Sequence, residues 1–348
     1  MKWNPKIQTL KPYHPNENSY EIRLDANESF LKIPQEILDE FTHDFHKLLL
    51  NRYPDALAGE VCRSFADFYN VQAADVTAGN GSDELISVIF NTFLQKGDSF
   101  ATVAPDFSMY SFYGHLAEAD EIVIPKRKNF ELDIDTVIET CNNKDVRLLI
   151  FSNPCNPTSL GVPRQEIRRL LQSVNCLVVL DEAYMDFWDQ SLLEEYADYD
   201  NLIILRTCSK ALAAAGIRIG FAVCQNAITK ILQAAKSPYN VNQMTQKMAA
   251  LLFSYKTKMN KAVQTVIASK KSLFQKLTEV QSETGRFELL KSETNFVSLV
   301  TEKPQDLVDF AAQKKIAIRS VGGLVRITCG NPKENDAVTE VIKEYYKR

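Results

Sequence analysis

Six short, continuous apolar runs, "SFATVA", "EIVIPK", "VRLLIFS", "CLVVLD", "NLIILRT" and "IGFAVC", follow one another between residues 99 and 224. They constrain the fold more than anything else in the chain. None alternates apolar with polar, so each is expected to bury both faces. Amphipathic stretches such as "GSDELISVIFNTFLQ" and "PRQEIRRLLQSV" lie between them. Strands buried on both faces and joined by helical crossovers form parallel sheets with a helical layer on each side. The pattern therefore predicts an α/β fold with a mostly parallel sheet.

The flanks read differently. Residues 1–35 are rich in Pro, Asn and Glu with little periodicity, and are expected to form an extended arm. Helical patterns follow at 34–49 and 56–69. After Asn242 a helix-favouring stretch runs to about residue 281, with a break expected near 254–257. Beyond it, strands are expected at "NFVSLVT", "KIAIRS" and "LVRITCG", with helices at 304–315 and 332–347, which together make a smaller α+β domain. The domain boundaries so read are an arm at 1–35, a large domain at 36–250 and a small domain at 251–348.

Composition narrows the function classes. A formal net charge of −4 on 348 residues gives no electrostatic reason to expect nucleic acid or a membrane surface as partner. No apolar run approaches membrane-spanning length, and "MKWNPKIQTLKPYHPNE" has no apolar core of a signal segment. Seven scattered cysteines without a C-x-x-C pair point to free thiols and a cytoplasmic protein, with neither disulfides nor a metal site.

In open α/β sheets ligands bind beyond the carboxyl ends of the strands, so the polar residues that end each run are the candidates. "LLIFSNPCNPTS" leaves the sheet at Asn153 and Asn156. "CLVVLDEAY" leaves it at Asp181, with Tyr184 one turn on. "NLIILRTCSK" leaves it at Thr207, Ser209 and Lys210. Lys210 is followed by Ala211, Leu212, Ala213, Ala214, Ala215 and Gly216, and then by Arg218. A free lysine, with a pKa of about 10.4, is almost wholly protonated at neutral pH. Desolvation among small residues and a nearby cation would both favour its neutral, nucleophilic form. Asp181 could hold a proton on a ring nitrogen through a charge-assisted hydrogen bond. Tyr184 and Asn156 could bond a phenolate oxygen, and Phe107 could stack on a ring. Gly81 and Ser82 in "GNGSDELI" open a helix whose free N–H groups favour an anion, with Thr207, Ser209 and Arg218 closing the other side. Each element alone has an ordinary structural reading, as a cap, a turn, a salt bridge or a core aromatic. Their joint occurrence at strand ends suits one cofactor, pyridoxal 5'-phosphate.

With these residues in place the chain resembles the fold-type I pyridoxal-phosphate enzymes and, among them, the histidinol-phosphate aminotransferase family. "LDANE", "RYPD", "GNGSDELI", "NPCNPT", "DEAYMDF", "RTCSKA", "AGIRIG", "SPYNVN" and "VRITCG" carry the resemblance over nearly the whole length. It implies a mostly parallel seven-stranded sheet, with Lys210 as the Schiff-base lysine, Asp181 at the pyridine nitrogen, and Asn156 and Tyr184 at the phenolate oxygen. It implies a phosphate cradle of Ser82, Asp83, Thr207, Ser209 and Arg218, and a homodimer in which Tyr53 of "RYPD" reaches the neighbouring subunit's phosphate. Arg326 and Arg319 would hold the substrate's anionic end, with Tyr20 and Asn27 closing over it. The implied activity transfers an amino group from histidinol phosphate to 2-oxoglutarate in histidine biosynthesis. A threonine-phosphate-type decarboxylase and an aromatic amino-acid aminotransferase share the same site pattern and stay open. A cofactor-binding regulator would need a DNA-binding module, and a nicotinamide dehydrogenase would need a glycine fingerprint; the sequence shows neither. Ser159 and the short segment "SVGGLV" depart from the family pattern at the substrate end.

Overall fold

A computed structural model describes residues 4, 6, 7, 10 and 19–348. Residues 1–3, 5, 8, 9 and 11–18 of the expected arm, and with them most of the segment read for a signal core, lie outside the described residues. The described end of the arm carries a two-residue strand, β1 (Ile22–Arg23).

Seven strands form the main sheet: β2 (Val76–Gly79), β3 (Ser99–Ala104), β4 (Asp120–Pro125), β5 (Leu148–Ser152), β6 (Leu177–Asp181), β7 (Leu202–Thr207) and β8 (Gly220–Cys224). Their spatial order is β2-β8-β7-β6-β5-β3-β4. Pairing is parallel throughout, except that β8 runs antiparallel to both β2 and β7. Six of these strands are the apolar runs of the sequence. The seventh, β2, gives no such signal, because "VTAG" is four residues long with a hydroxyl inside it and a glycine at its end.

Both faces are buried along β2, β3 and β5 to β8, as unalternated strands require. The run "EIVIPK" does not meet that expectation: β4 is the edge strand and is mostly exposed, Val123 by 52%. Along β7, Leu202 and Ile204 enter one hydrophobic cluster while Ile203 and Leu205 enter the other. The first cluster is covered by α1 (Gln35–Phe45), α2 (Gly59–Tyr69), α5 (Ile134–Asn143), α6 (Arg164–Ser173) and α8 (Gln243–Ser254). The second lies under α3 (Ser82–Phe93), α4 (Met109–Leu116) and α7 (Asn226–Ala235). The break expected near 254–257 falls at Tyr255, between α8 and the 29-residue α9 (Lys256–Thr284).

A third cluster joins α9 to an antiparallel sheet of β9 (Glu288–Leu290), β10 (Phe296–Val300), β12 (Arg319–Val321) and β13 (Leu324–Thr328), in the order β12-β13-β10-β9. Helices α10 (Pro304–Gln313) and α11 (Pro332–Tyr346) complete it. Helix α11 starts where Asn331 and Glu334 form a reciprocal capping box with Pro332 at the first helical position. The run "KIAIRS" is not one strand. Its first half, β11 (Ile316–Ala317), pairs with β1, and after Ile318 the chain passes into β12 of the other sheet.

The register brings the functional candidates to one edge. Ser152 at the end of β5 lies opposite Asp181 at the end of β6. Thr207 at the end of β7 lies opposite Gly220, where the antiparallel β8 begins, and Gly220 in turn lies opposite Gly79 at the end of β2. From β3 the chain moves outward to β4 and then returns to β5 on the other side. This reversal is the switch point at which open α/β sheets form a ligand crevice.

Candidate active site

A cavity of about 420 Å³ opens at that edge. Among the expected residues, Asn27, Ser82, Asp83, Phe107, Asn156, Asp181, Tyr184, Thr207, Ser209, Lys210, Arg218, Arg319 and Arg326 line it. Gly81 is not among the lining residues, but it packs against Arg218, which is. Tyr20 is half-buried and lies outside it. Tyr53 also lies outside it: 81% exposed, it stacks on Tyr239 with ring centroids 4.6 Å apart.

Lys210 is the lysine of the cavity, and its Nζ donates to the carbonyl of Ala26 at 3.1 Å. Burial, and then the charge of Arg326, bring its pKa down to about 8, with Arg218 a lesser contributor. The activating cation is thus chiefly one distant in sequence rather than the arginine eight residues on. Asp181 sits at the other extreme. Burial pushes its carboxyl up to about 7, although Tyr110 Oη donates to Oδ2 at 2.9 Å and the Ala183 N–H donates to Oδ1 at 3.1 Å. A buried carboxylate so placed gains most from a cationic partner.

Tyr184 and Asn156 are oriented by what they already bond. The hydroxyl of Tyr184 accepts from Asn27 Nδ2 at 2.8 Å, which leaves its own proton to donate; burial raises its pKa to about 12. Arg326 Nη1 donates to Asn156 Oδ1 at 2.6 Å. Because a guanidinium can only donate, this fixes the amide so that Nδ2 is the free donor. Asn27 is a fixed wall rather than a swinging arm. It is buried, its N–H donates to Thr328 Oγ1 at 3.0 Å, and its carbonyl accepts from Asn295 Nδ2 at 3.1 Å.

At the opposite end, α3 begins at Ser82 with no side-chain cap on its first N–H groups. Gly81 has φ +84°, and a Cβ there would stand 2.6 Å from Arg218 Nη2. A Cβ on Gly220 would stand 2.3 Å from the Ser82 nitrogen. Both positions must be glycine for β8 and Arg218 to close around the helix start. Arg218 Nη1 donates to Ser209 Oγ at 3.5 Å, and Ser209 N–H donates to Thr207 Oγ1 at 3.1 Å. Free N–H groups, two hydroxyls and a guanidinium make a cradle suited to a phosphate.

Arg319 and Arg326 are direct partners across the β12–β13 pair. Like charges opposed on an antiparallel pair repel, and an anion between them would relieve the repulsion. Arg326 is buried, and its Nε has no hydrogen-bond partner among the described residues. The same face thus holds an unmet demand for a negatively charged group.

Sequence reasoning missed a supporting layer. Tyr110 bonds Asp181 from the first turn of α4, where "SMYSFY" reads only as aromatic core. Asp106 accepts from both the N–H and the Oγ of Ser152, and Ser152 Oγ accepts from the Asn156 N–H at 3.1 Å. Beneath the ends of β6 and β7, buried Arg206 pairs with Glu182 at 3.1 Å and with Asp186, and lies over the Tyr69 ring. Charged residues at 182, 186 and 206 show their pairing only once the parallel strands stand side by side.

The fold and this constellation define a class, and residues 19–342 match the family described as aminotransferase class I and II. The chain belongs to that family and is an aminotransferase. It is similar over its length to curated histidinol-phosphate aminotransferases. That of Clostridium kluyveri is 33% identical over 346 residues, covering 98% of this chain and 97% of the relative. That of Clostridium novyi is 32% identical over 342 residues, covering 97% and 95%. The histidinol-phosphate aminotransferase of Sinorhizobium meliloti, solved in complex with pyridoxal-5'-phosphate, shares the fold with a TM-score of 0.89 at 20% identity, covering 99% of this chain and 98% of that one.

Proposed function

We propose that this chain is a pyridoxal-phosphate-dependent aminotransferase that moves the amino group of histidinol phosphate to 2-oxoglutarate in histidine biosynthesis. One observation carries the reading. A single cavity holds a buried amine of lowered pKa, a cluster of anion-binding donors at the start of α3 and an opposed arginine pair. The near-full-length similarity to curated histidinol-phosphate aminotransferases supports the choice of donor.

The cavity residues fit the cofactor: uncapped N–H groups, hydroxyls and Arg218 for its phosphate, a buried carboxylate for its ring nitrogen, and two free donors for its phenolic oxygen. When bound, the cofactor supplies an electron sink for the carbon that carries the migrating amino group. Lys210 Nζ binds the cofactor and carries the proton between donor and cofactor as base and then acid. Asp181 holds the proton on the ring nitrogen, and Tyr110 keeps that carboxylate oriented. Tyr184 Oη and Asn156 Nδ2 orient the ring by donating to its phenolic oxygen. Phe107 packs beside the ring. The backbone N–H groups of Ser82 and Asp83, the hydroxyls of Thr207 and Ser209 and the guanidinium of Arg218, with Gly81 leaving room, would bind its phosphate. Arg319 and Arg326 bind the donor's anionic end and then the carboxylates of the oxo-acid. Asn27 holds Tyr184, and Tyr20 closes the entrance.

The same reading gives a homodimer in which Tyr53 of each chain reaches the cofactor phosphate of the other; an aromatic 81% exposed in one chain fits that place. Following a short arm, residues 36–250 would form the cofactor domain and 251–348 the small domain, although Leu251, Leu252 and Phe253 at the end of α8 still pack in the first cluster, so the division would lie a few residues later than that boundary. Seven free thiols suit a cytoplasmic location. Among the described residues no helix is long and apolar enough to cross a membrane.

The test supplies cofactor and 2-oxoglutarate with histidinol phosphate, threonine phosphate or phenylalanine in turn, and measures glutamate and released CO₂. Glutamate formed mole for mole from histidinol phosphate, without CO₂, is the expected result. CO₂ from threonine phosphate would replace the proposal with a decarboxylase, and glutamate from phenylalanine alone with an aromatic aminotransferase.

A further inference from the structure

A second cavity, of about 470 Å³, lies on the far side of the segment that carries Asn156. Ser152 belongs to the walls of both cavities. Two reactive side chains meet in the second. Lys126, just past β4, places its Nζ 2.8 Å from Cys155 Sγ and 2.8 Å from the carbonyl of Pro105. Cys155 is held in place by its own backbone, its N–H donating to Leu160 and its carbonyl accepting from Ser159.

All seven cysteines are buried free thiols, and Cys155 Sγ faces a backbone carbonyl, that of Pro105 at 3.6 Å, much as others do; what sets it apart is the amine of Lys126 beside it. Cys62 and Cys329 face backbone carbonyls, Cys224 faces the Thr229 hydroxyl, and Cys141 and Cys176 face each other. Cys208 is enclosed in the apolar core. Among the described residues Cys155 is the thiol with an amine at bonding distance and a cavity at its side. Reactive thiols occupy electropositive niches; Cys155 is itself only 4% exposed, but it has a lysine amine at its sulfur and forms part of the wall of the cavity.

We propose that Cys155 and Lys126 form an oxidant-dependent cross-link site, with hydrogen peroxide as the co-reactant. The Cys155 sulfur attacks one peroxide oxygen, and the O–O bond breaks. The other oxygen leaves as water with the thiol proton, and the sulfur, oxidised by two electrons, becomes a sulfenic acid. A sulfenic acid condenses with a nearby nitrogen to form a sulfenamide. Lys126 gives its ammonium proton to solvent, its lone pair attacks the sulfur, and the S–O bond breaks. The hydroxyl takes a second nitrogen proton and leaves as water, so that an S–N bond joins the two residues. A dithiol reductant returns both residues to the starting state and is itself oxidised to its disulfide. The bond ties the segment carrying Asn156 to the end of β4. The site stands whether or not the donor is histidinol phosphate, since its readout is a mass and not a rate.

The test treats the cofactor-loaded enzyme with hydrogen peroxide, digests it and identifies cross-linked peptides by mass spectrometry. The expected product joins the Cys155 and Lys126 peptides at about 2 Da below their summed mass, two hydrogens having been lost, and disappears on treatment with dithiothreitol. Lys126→Met should lose this product and leave a Cys155 sulfenic acid that dimedone captures. The wild-type digest alone decides the matter if the variant fails to fold. Cys155 recovered as free thiol or as sulfinic acid, with no link to Lys126, would overturn the proposal. So would a wild-type Cys155 that dimedone captures as fully as in Lys126→Met.

Discussion

The two ends of the active-site cavity are built from different material. One end is the carboxyl edge of the parallel sheet, where Asp181, Thr207 and the start of α3 are set by strands buried on both faces. The other is a β-pair of the small sheet, where Arg319 and Arg326 face each other across a two-residue turn at Gly322 and Gly323. The first end stands on strands buried on both faces. At the second, Arg326 is carried by the buried strand β13, while Arg319 stands on the short, exposed edge strand β12 opposite it. The contrast suggests a division of labour, with the sheet edge fixing the cofactor while the small sheet reads the substrate.

The largest expected effect lies at the sheet edge. Asp181→Asn should keep the cofactor bound but lower kcat by roughly 10²–10⁴-fold, the range seen when a positioned proton-holding group is lost. Steady-state kinetics beside a cofactor titration measures both parts. A variant at wild-type rate would make Asp181 structural.

A reciprocal pair of variants sharpens the comparison. Arg218→Met should weaken cofactor affinity by roughly ten- to a hundredfold, the loss of a hydrogen bond to a charged group, and leave the KM for histidinol phosphate little changed. Arg319→Met should do the opposite, raising KM by a similar factor with cofactor affinity kept. If both variants shift the same quantity, the two ends are not separate.

The same replacement at Asp181 has a pH signature in the apo-protein. An unfolded Asp releases its proton near pH 4, while the folded carboxyl keeps it to about 7. Between those values the folded state binds more protons, so stability falls as pH rises. Urea melts should show wild type losing a few kcal/mol relative to Asp181→Asn between pH 4 and pH 7.5. Parallel curves would contradict the burial argument.

The smallest effect concerns Tyr53. Tyr53→Phe should weaken cofactor binding by up to about tenfold while light scattering still reports a dimer. An unchanged dissociation constant would remove Tyr53 from the phosphate site.

The two ends also differ in how legible they were in the sequence. Lys210, Asp181 and Thr207 could be found from residues alone, because each ends an apolar run and parallel strands bring their ends together. Strand β2 was not legible, since four residues with Thr77 among them lack the apolar continuity of the other strands. Tyr110 was hidden because one aromatic in a helix that buries aromatics gives no sign that its hydroxyl meets Asp181. Arg206 and its partners Glu182 and Asp186 were hidden because ion pairing between neighbouring strands leaves no local spacing. At the small sheet, Arg319 and Arg326 could be named by resemblance alone. Seven residues of separation do not say that two arginines face each other until the turn at Gly322 is in place. Asn27 was named by resemblance as closing over the substrate, but the bonds that hold it, to Thr328 and Asn295, come from residues about 300 and 270 positions away and leave no sign in the sequence.

The aminotransferase site rests on Lys210 as the amine that holds the cofactor. Borohydride reduction of the cofactor-loaded enzyme followed by peptide mapping tests this most directly. The expected result is one labelled peptide, modified at Lys210; when apo-protein is mixed with pyridoxal phosphate and reduced at once, labelling should rise with pH through a midpoint near 8, where half the amine is neutral. Label found at another lysine, or retained in Lys210→Ala, would contradict the account.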